Sequence, residues 1–237
     1  MSHEFDIRTS VALPATPEQV WQAVATPEGQ AAWFMAVPAE PGADPSTAPG
    51  VEVWEPPHRL LVRPTPTMAT EFLIDAADGG TAVLRFVHSG VMDVPDAPEG
   101  WGDEFDAMTR AGWDQYFATL QAYLTHFPGR AATYGEAEAS GGSGGEVWER
   151  IRDTLGRPDA PGGTATIDLG GRTVTGEIDY VTGKFLGLRT DRALIRFHER
   201  SAIGMPVAVS HHDYAGAAPE ALSEAWRVWL SAPVTAG

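Results

Sequence analysis

The chain has 237 residues, of which 43% are hydrophobic and 20% are charged. These fractions are close to those of folded soluble proteins, so they exclude wholesale disorder and a fibrous repeat. The 32 acidic residues outnumber the 16 basic ones and give a formal net charge of -16, which argues against nucleic acid and anionic membrane surfaces as partners.

Cysteine is absent, which excludes disulfides, thiolate nucleophiles and cysteine-based metal sites. The first ten residues have neither the basic region nor the apolar region of a signal peptide, and no long uncharged apolar run occurs. We therefore expect a cytoplasmic protein.

The first predicted elements are a strand and two short helices. The strand alternates apolar or small side chains with polar ones, the former being Phe5, Ile7, Thr9, Val11 and Leu13. Thr16-Pro17-Glu18-Gln19 then supplies an N-cap hydroxyl, a proline in the first turn and a capping glutamine. A second helix start recurs at Thr26-Pro27-Glu28 and predicts a helix that carries Trp33 and Phe34.

The middle of the first unit predicts an irregular segment, four strands and a long helix. Residues 36–50 are rich in proline and are predicted to be irregular. The β-rich runs lie at 51–55, 58–63, 69–76 and 81–89, the last two as a hairpin. Asp103 is predicted as the N-cap of the long helix, because apolar residues then recur every three or four positions as far as Leu124.

A second unit is predicted after residue 146. Residues 128–146 are small and polar, so they predict a linker between a first unit at 1–127 and a second unit at 147–237. We expect the second unit to be a small α+β unit of mostly antiparallel strands. Its predicted elements are a helix at 147–155, strands near 164–169, 173–181, 184–190, 193–199 and 206–214, and a terminal helix from Pro219 to about Leu230.

Four motifs in the first unit resemble one protein family. They are TPEQVWQAVATPEGQAAWF, VEVWEPPHRLLVR, TEFLIDAADGGTAVLRFVHSG and GWDQYFATLQAYL, in this order. Together they resemble the START-like or SRPBCC superfamily, in the branch named after the activator of the heat-shock-protein-90 ATPase. The resemblance implies an α+β helix-grip fold, in which a curved antiparallel sheet wraps around the long helix. It also implies a cavity between them that often takes an apolar small molecule.

The segment 36–50 departs from this family, whose members usually carry two further strands there. A missing hairpin leaves a sheet edge exposed, and exposed edges promote aggregation. We therefore expect a strand of the second unit to pair with that edge.

The resemblance implies that aromatic residues line the cavity, whereas the alternative is a filled core. These candidates are Trp33, Phe34, Phe72, Trp113, Tyr116 and Phe117. Strand alternation adds Phe86 and His88, which share one face of the strand at 81–89. His88 is a candidate to bind the polar end of a ligand or to act as a general base, and a histidine satisfied within the core or rim is the alternative. Glu71 is expected to pair with Arg85 across two strands.

Residues that would carry metal, cofactor or nucleophilic chemistry are sparse. His198, His211, His212 and Asp213 form a cluster of ligand types, but neighbouring residues on a strand point to opposite faces, so we expect no metal site. There is no Gly-x-Ser-x-Gly motif, and GGSGG at 141–145 lacks the lysine of a phosphate loop. We therefore assign no cofactor and no catalytic residue.

Three functions stay open. The first is binding of an apolar or aromatic small molecule in the cavity, with His88 and Tyr116 orienting it. The second is a protein-interaction module of the chaperone-activator kind, whose acidic face would meet a basic partner. The third is a cyclase or hydrolase that uses the same cavity. An open cavity above about 300 Å³ favours the first or third, and a filled interior favours the second. The sequence does not decide between a monomer and a homodimer.

Overall fold

A computed structural model describes residues 2–37, 40, 42–95, 99–140 and 144–232. The chain divides into two compact units, with the boundary between Ala131 and Ala132.

In its described residues, the first unit is one antiparallel sheet with three helices. In chain order its elements are β1 (Ser2–Leu13), α1 (Pro17–Ala25), α2 (Pro27–Ala31), β2 (Val51–Glu55), β3 (Arg59–Thr65), β4 (Met68–Ala77), β5 (Thr81–Asp93) and α3 (Trp101–His126). The strand order is β1-β5-β4-β3-β2. Rings of α3 pack on rings of β1 and β5. The predicted helix-grip architecture is confirmed.

The alternation of β1 positions the sheet against α3. Phe5, Ile7 and Leu13 are buried on one side of the strand, while the residues between them are exposed or half-buried. β1 pairs with β5 along its whole length, from Ser2 opposite Asp93 to Leu13 opposite Ala82. The buried face of β5 therefore lies beside that of β1 and points to the same helix.

The capping signals at the start of α1 form the predicted box. Thr16 Oγ1 accepts a hydrogen bond from the Gln19 backbone N–H at 3.4 Å, and Gln19 Oε1 accepts one from the Thr16 N–H at 3.0 Å. Both bonds satisfy N–H groups that a helix start leaves without partners.

Replacing Thr16 by alanine is expected to destabilise the first unit by about 1 kcal/mol, because the cap bond to the Gln19 N–H is lost. Urea unfolding of the full chain measures the change. Thr125→Ala, an exposed threonine near the end of α3, is the control and should shift stability by no more than a few tenths of a kcal/mol. Equal midpoints for wild type and Thr16→Ala would show that the cap contributes nothing.

Two helix boundaries differ from the prediction. α2 ends at Ala31, so Trp33 and Phe34 lie in the turn after it. α3 starts two residues before Asp103, which is therefore not its N-cap. Gly100 takes the capping position with a left-handed φ of 80°, a conformation that glycine adopts without strain.

The expectation that a strand of the second unit pairs with the edge of this sheet is wrong. Across the described ranges, all strands of the sheet come from the first unit. The edge strand β2 has only five residues and carries exposed Glu52 and Glu55. Short, charged edge strands resist pairing with other chains, which explains why no covering strand is required. Before β2, Pro45–Thr47 form a single 3₁₀ turn, and residues 38, 39 and 41 of the predicted irregular segment lie outside the described residues.

The part of the second unit that the structure describes is an antiparallel sheet with two helices. Its elements are β6 (Thr133–Glu138), α4 (Gly144–Thr154), β7 (Thr164–Leu169), β8 (Arg172–Val181), β9 (Phe185–Arg189), β10 (Ala193–His198), β11 (Ala208–Asp213) and α5 (Pro219–Leu230). The strand order is β6-β11-β10-β9-β8-β7. Trp148 and Ile151 of α4 and Trp226 of α5 belong to the buried core of this unit.

The segment predicted as a linker, 128–146, contains a strand of this sheet. β6 pairs with β11, and Gly135 and Ala137 are its buried residues. A Cβ at position 135 would lie 2.7 Å from the Leu222 Cβ of α5, so glycine permits this close approach. The small residues of this segment therefore allow β6 to pack closely against α5. From composition alone, the same residues indicate a linker. Residues 141–143 lie outside the described residues.

Candidate functional site

The predicted ligand-binding residues meet in one network of ring contacts, which we call the aromatic cluster. Its members are Trp33, Phe34, Phe72, Phe86, His88, Trp113, Tyr116 and Phe117. Trp113 lies at its centre, 4.1 Å between ring centroids from Phe86 and 5.6 Å from Phe117. Phe34 stacks on Trp113 at 5.3 Å with an interplanar angle of 13°.

The aromatic cluster has a buried base and a half-buried rim. Trp33, Phe86 and Phe117 are no more than 3% exposed, whereas Phe34, His88 and Tyr116 are half-buried. We call the last three the rim. Because the rings contact one another, side chains occupy the space between β5 and α3 at this level.

His88 on β5 holds one defined tautomer. The Trp113 indole Nε1–H donates to His88 Nδ1 at 3.0 Å. An indole nitrogen only donates, so Nδ1 is unprotonated and the neutral ring carries its proton on Nε2. Burial lowers the pKa of His88 and so favours this neutral form.

The Nε2–H of His88 is a spare donor at the rim. Within the part of the chain that the structure describes, the bond from Trp113 is the only hydrogen bond of this imidazole. Its other contacts are with rings, the nearest being Phe5 at 4.9 Å. In the same described residues no carboxylate is hydrogen-bonded to this ring.

The expected pair between Glu71 and Arg85 is wrong. Glu71 bonds Arg59 at 2.8 Å, and Arg85 bonds Asp75 at 2.5 Å. Arg85 lies opposite Leu73 in the register, so the carboxylates of Glu71 and Asp75 are both diagonal to it. Glu71 instead bonds Arg59 on the strand at its other side, β3.

A surface cleft that sequence reasoning missed lies elsewhere in the first unit. Its volume is about 620 Å³, and it is lined by α1, α2, the end of α3 and residues 128–131. Glu18, Gln22, Glu28 and Arg130 give it a polar rim. No residue of the aromatic cluster lines this cleft.

The two neighbouring histidines of β11 point to opposite faces of the second sheet, which confirms the expected geometry. His211 Nδ1 accepts a hydrogen bond from Trp226 Nε1–H at 3.0 Å, while the His212 ring lies 5.3 Å from Tyr134. Among the described residues, no three histidine or acidic side chains come together as a metal site would require. None of the helices in these residues combines the length and the apolar character needed to span a membrane.

One family model matches most of the first unit. Residues 14–125, a little under half of the chain, match the family model described as activator of Hsp90 ATPase homolog 1-like protein. The first unit is therefore similar to this family over most of its length. We call it the activator-like unit; the family model leaves the second unit unassigned.

Several solved structures are similar to about half of the chain. The Aha1 dimer from Colwellia psychrerythraea has 17% identity and a TM-score of 0.38, and the match covers 51% of this chain and 96% of that chain. A Bacillus halodurans protein has 26% identity and a TM-score of 0.39, covering 52% and 98%. An AHSA1-like protein from Rhizobium etli has 22% identity and a TM-score of 0.39, covering 54% and 84%. A comparison with curated proteins found no match.

Proposed function

We propose that the activator-like unit binds an uncharged aromatic small molecule at the rim of the aromatic cluster. The observation that carries this proposal is the half-buried imidazole of His88, whose tautomer is held by Trp113 and whose Nε2–H has no acceptor among the described residues. A ligand carbonyl or hydroxyl oxygen is the acceptor that this donor requires.

The position of Phe34 supports a site for an aromatic ring. Phe34 lies in the turn after α2 and stacks on Trp113, whereas Trp33 beside it is buried and donates its Nε1–H to the Ala23 carbonyl at 2.9 Å. Trp33 thus anchors the turn, and Phe34 is followed by the exposed residue Met35. A ligand ring that displaces Phe34 takes over its stacking on Trp113 and buries apolar surface, at about 25 cal/mol per Å².

The charge of the unit favours a neutral ligand over an anion. Residues 1–127 contain 18 acidic residues and five basic ones. Four of the five arginines are held in ion pairs with carboxylates, namely Arg8, Arg59, Arg63 and Arg85. An anionic ligand would therefore meet net repulsion.

Titration with prodan, a fluorescent and uncharged naphthalene ketone, tests the proposal. We expect saturable binding with a blue shift of the emission. In His88→Asn the Kd should rise about three- to tenfold, the equivalent of one hydrogen bond. Asparagine keeps an acceptor oxygen for the Trp113 N–H but has no donor at the position of Nε2. His58→Asn, at an exposed histidine of the same unit, is the matched control and should leave the Kd unchanged.

A second substitution separates the aromatic cluster from the surface cleft. Gln22→Trp places a large ring in the cleft and should not affect prodan binding at the rim. Loss of binding in Gln22→Trp with retention in His88→Asn would move the site to the cleft and overturn the proposal.

The packing of the aromatic cluster favours a second candidate, a protein-interaction module. The rings fill the space between β5 and α3, as expected where the surface rather than a cavity carries the function. The family description names activation of the Hsp90 ATPase. The test is the rate of ATP hydrolysis by an Hsp90-type chaperone with and without this protein. Acceleration together with absence of prodan binding would favour this second candidate.

A further inference from the structure

The second unit contains a small pocket that no comparison assigns. Its volume is about 140 Å³. It is lined from β7, β8, the turn between β9 and β10, β11 and α5. This volume holds more than one water molecule but is well below that of a pocket for a drug-sized ligand.

His211 contributes a buried N–H without an acceptor to this pocket. Trp226 Nε1–H donates to His211 Nδ1 at 3.0 Å, so the proton of the neutral ring lies on Nε2. Only 4% of His211 is exposed, and among the described residues its Nε2 has no hydrogen-bond partner. Burial lowers its pKa to about 4, which keeps the ring neutral near pH 7. A buried polar group in this state lacks a bond that folded proteins normally supply.

Asp213 places an ionised carboxylate opposite this donor. Its Oδ1 accepts hydrogen bonds from the backbone N–H groups of Ala215 and Ala217 at 2.8 and 3.1 Å, and its Oδ2 accepts from Arg192 at 3.2 Å. Burial by itself would raise the pKa of Asp213, but these bonds and Arg192 outweigh it and lower the pKa. Asp213 Oδ2 lies 4.0 Å from His211 Nε2, too far for a direct hydrogen bond.

We propose that this pocket binds a small uncharged polyol, one of whose hydroxyl oxygens accepts from His211 Nε2–H while its proton is donated to Asp213 Oδ2. A hydroxyl oxygen about 2.8 Å from each atom fits between a donor and an acceptor 4.0 Å apart. A ligand carboxylate at the same point would face Asp213, and an ammonium group would face the N–H. A hydroxyl both donates and accepts, so it satisfies both groups.

The remaining lining suits the rest of such a molecule. Thr173, Thr175 and Thr190 line the pocket together with apolar Val174 and Leu222, and the charged residues Arg172, Asp191 and Arg192 complete its polar lining. Threonine hydroxyls pair with further hydroxyl groups, and the apolar side chains contact the carbon chain of a polyol. This proposal concerns the second unit and stands independently of ligand binding by the activator-like unit.

Saturation-transfer NMR on the full chain with erythritol tests the proposal. We expect transfer to erythritol in the wild type, and loss of affinity of at least about tenfold in His211→Asn and in Asp213→Asn. His211→Asn keeps an acceptor for the Trp226 N–H, so it carries the test if Asp213→Asn fails to fold. Thr164→Val is the matched control, because Thr164 is exposed at the start of β7, outside the pocket lining, and its loss should leave the signal unchanged.

The ring nitrogens of His211 provide a second, site-specific measurement of binding. Long-range ¹H–¹⁵N spectra report the tautomer of His211, whose signal is assigned by its absence in His211→Asn. Erythritol should shift the Nε2 resonance in a saturable way. No shift and no transfer at millimolar erythritol would mean that ordered water fills the gap, and the proposal would fail. An equal response to acetate would indicate an anion site and would also overturn it.

Discussion

Alanine at position 29 is expected to destabilise the activator-like unit by about 3 kcal/mol, whereas alanine at position 112 is expected to stabilise it by about 1 kcal/mol. A Cβ on Gly29 of α2 would lie 1.9 Å from the Gln22 carbonyl oxygen and 2.8 Å from the Ala23 backbone. These are backbone atoms of α1, which cannot rotate away as a side chain can, so α1 and α2 would have to move apart. The Trp33 bond to the Ala23 carbonyl would be strained at the same time.

Gly112 offers the opposite case within α3. No heavy atom outside the helix's own backbone lies within 4 Å of a Cβ built on it. Alanine there restricts the unfolded chain and improves helix propensity without a clash. Urea unfolding gives the two free energies, and hydrogen exchange of peptides from residues 17–37 locates the loss in Gly29→Ala. Shifts of the same sign in both variants would contradict the role assigned to the contact between α1 and α2.

The strands and helices of this chain were largely predictable because their signals are local. β1 follows from two-residue alternation, and α1 from a capping box whose two bonds both form. The terminal helix runs from Pro219 to Leu230 as its proline and apolar spacing predict. The prediction that the cluster residues come together rested on the family resemblance, because no local signal links Phe34 to Trp113.

The features that escaped prediction depend on contacts between distant segments. Gly135 belongs to a strand because Leu222 packs over it, and its small size otherwise indicates a linker. Gly100 rather than Asp103 caps α3, since the left-handed cap residue lies three positions before Asp103 and the helix begins at Trp101. The pocket at His211 requires Trp226 and Asp213 to converge from a helix and a strand end, which no spacing in the sequence reveals.

One arrangement occurs in both units. In each, a tryptophan of the last helix donates its indole N–H to the Nδ1 of a strand histidine at 3.0 Å, Trp113 to His88 and Trp226 to His211. Both bonds leave the histidine proton on Nε2. The two sites differ in burial, since His88 is half-buried at a rim and His211 is enclosed. The first donor is therefore open to a ligand that arrives from solvent, and the second serves a molecule small enough for its pocket.

Acid is expected to destabilise the second unit as the pH falls from 6.5 to 4, with a loss of about 3 kcal/mol from His211. The pKa of His211 falls from 6.5 to about 4 on folding, mainly through burial, although Asp213 opposes this shift. Below pH 6.5 the unfolded chain binds a proton that the folded unit excludes, so stability decreases until the folded ring also titrates near pH 4. Each unit of pKa shift corresponds to about 1.4 kcal/mol.

A comparison of wild type with His211→Asn isolates this contribution. Burial also lowers the pKa of His198, to about 3, so acid should weaken both proteins to some degree. Unfolding free energies measured at several pH values between 7 and 4, with hydrogen exchange of β11 and α5 peptides to identify the unit, give the difference. The wild type should lose about 3 kcal/mol more than the variant over this range. Parallel curves would mean that His211 takes up its proton over the same pH range in the folded and unfolded states, and the predicted effect of its burial on stability in acid would then be wrong.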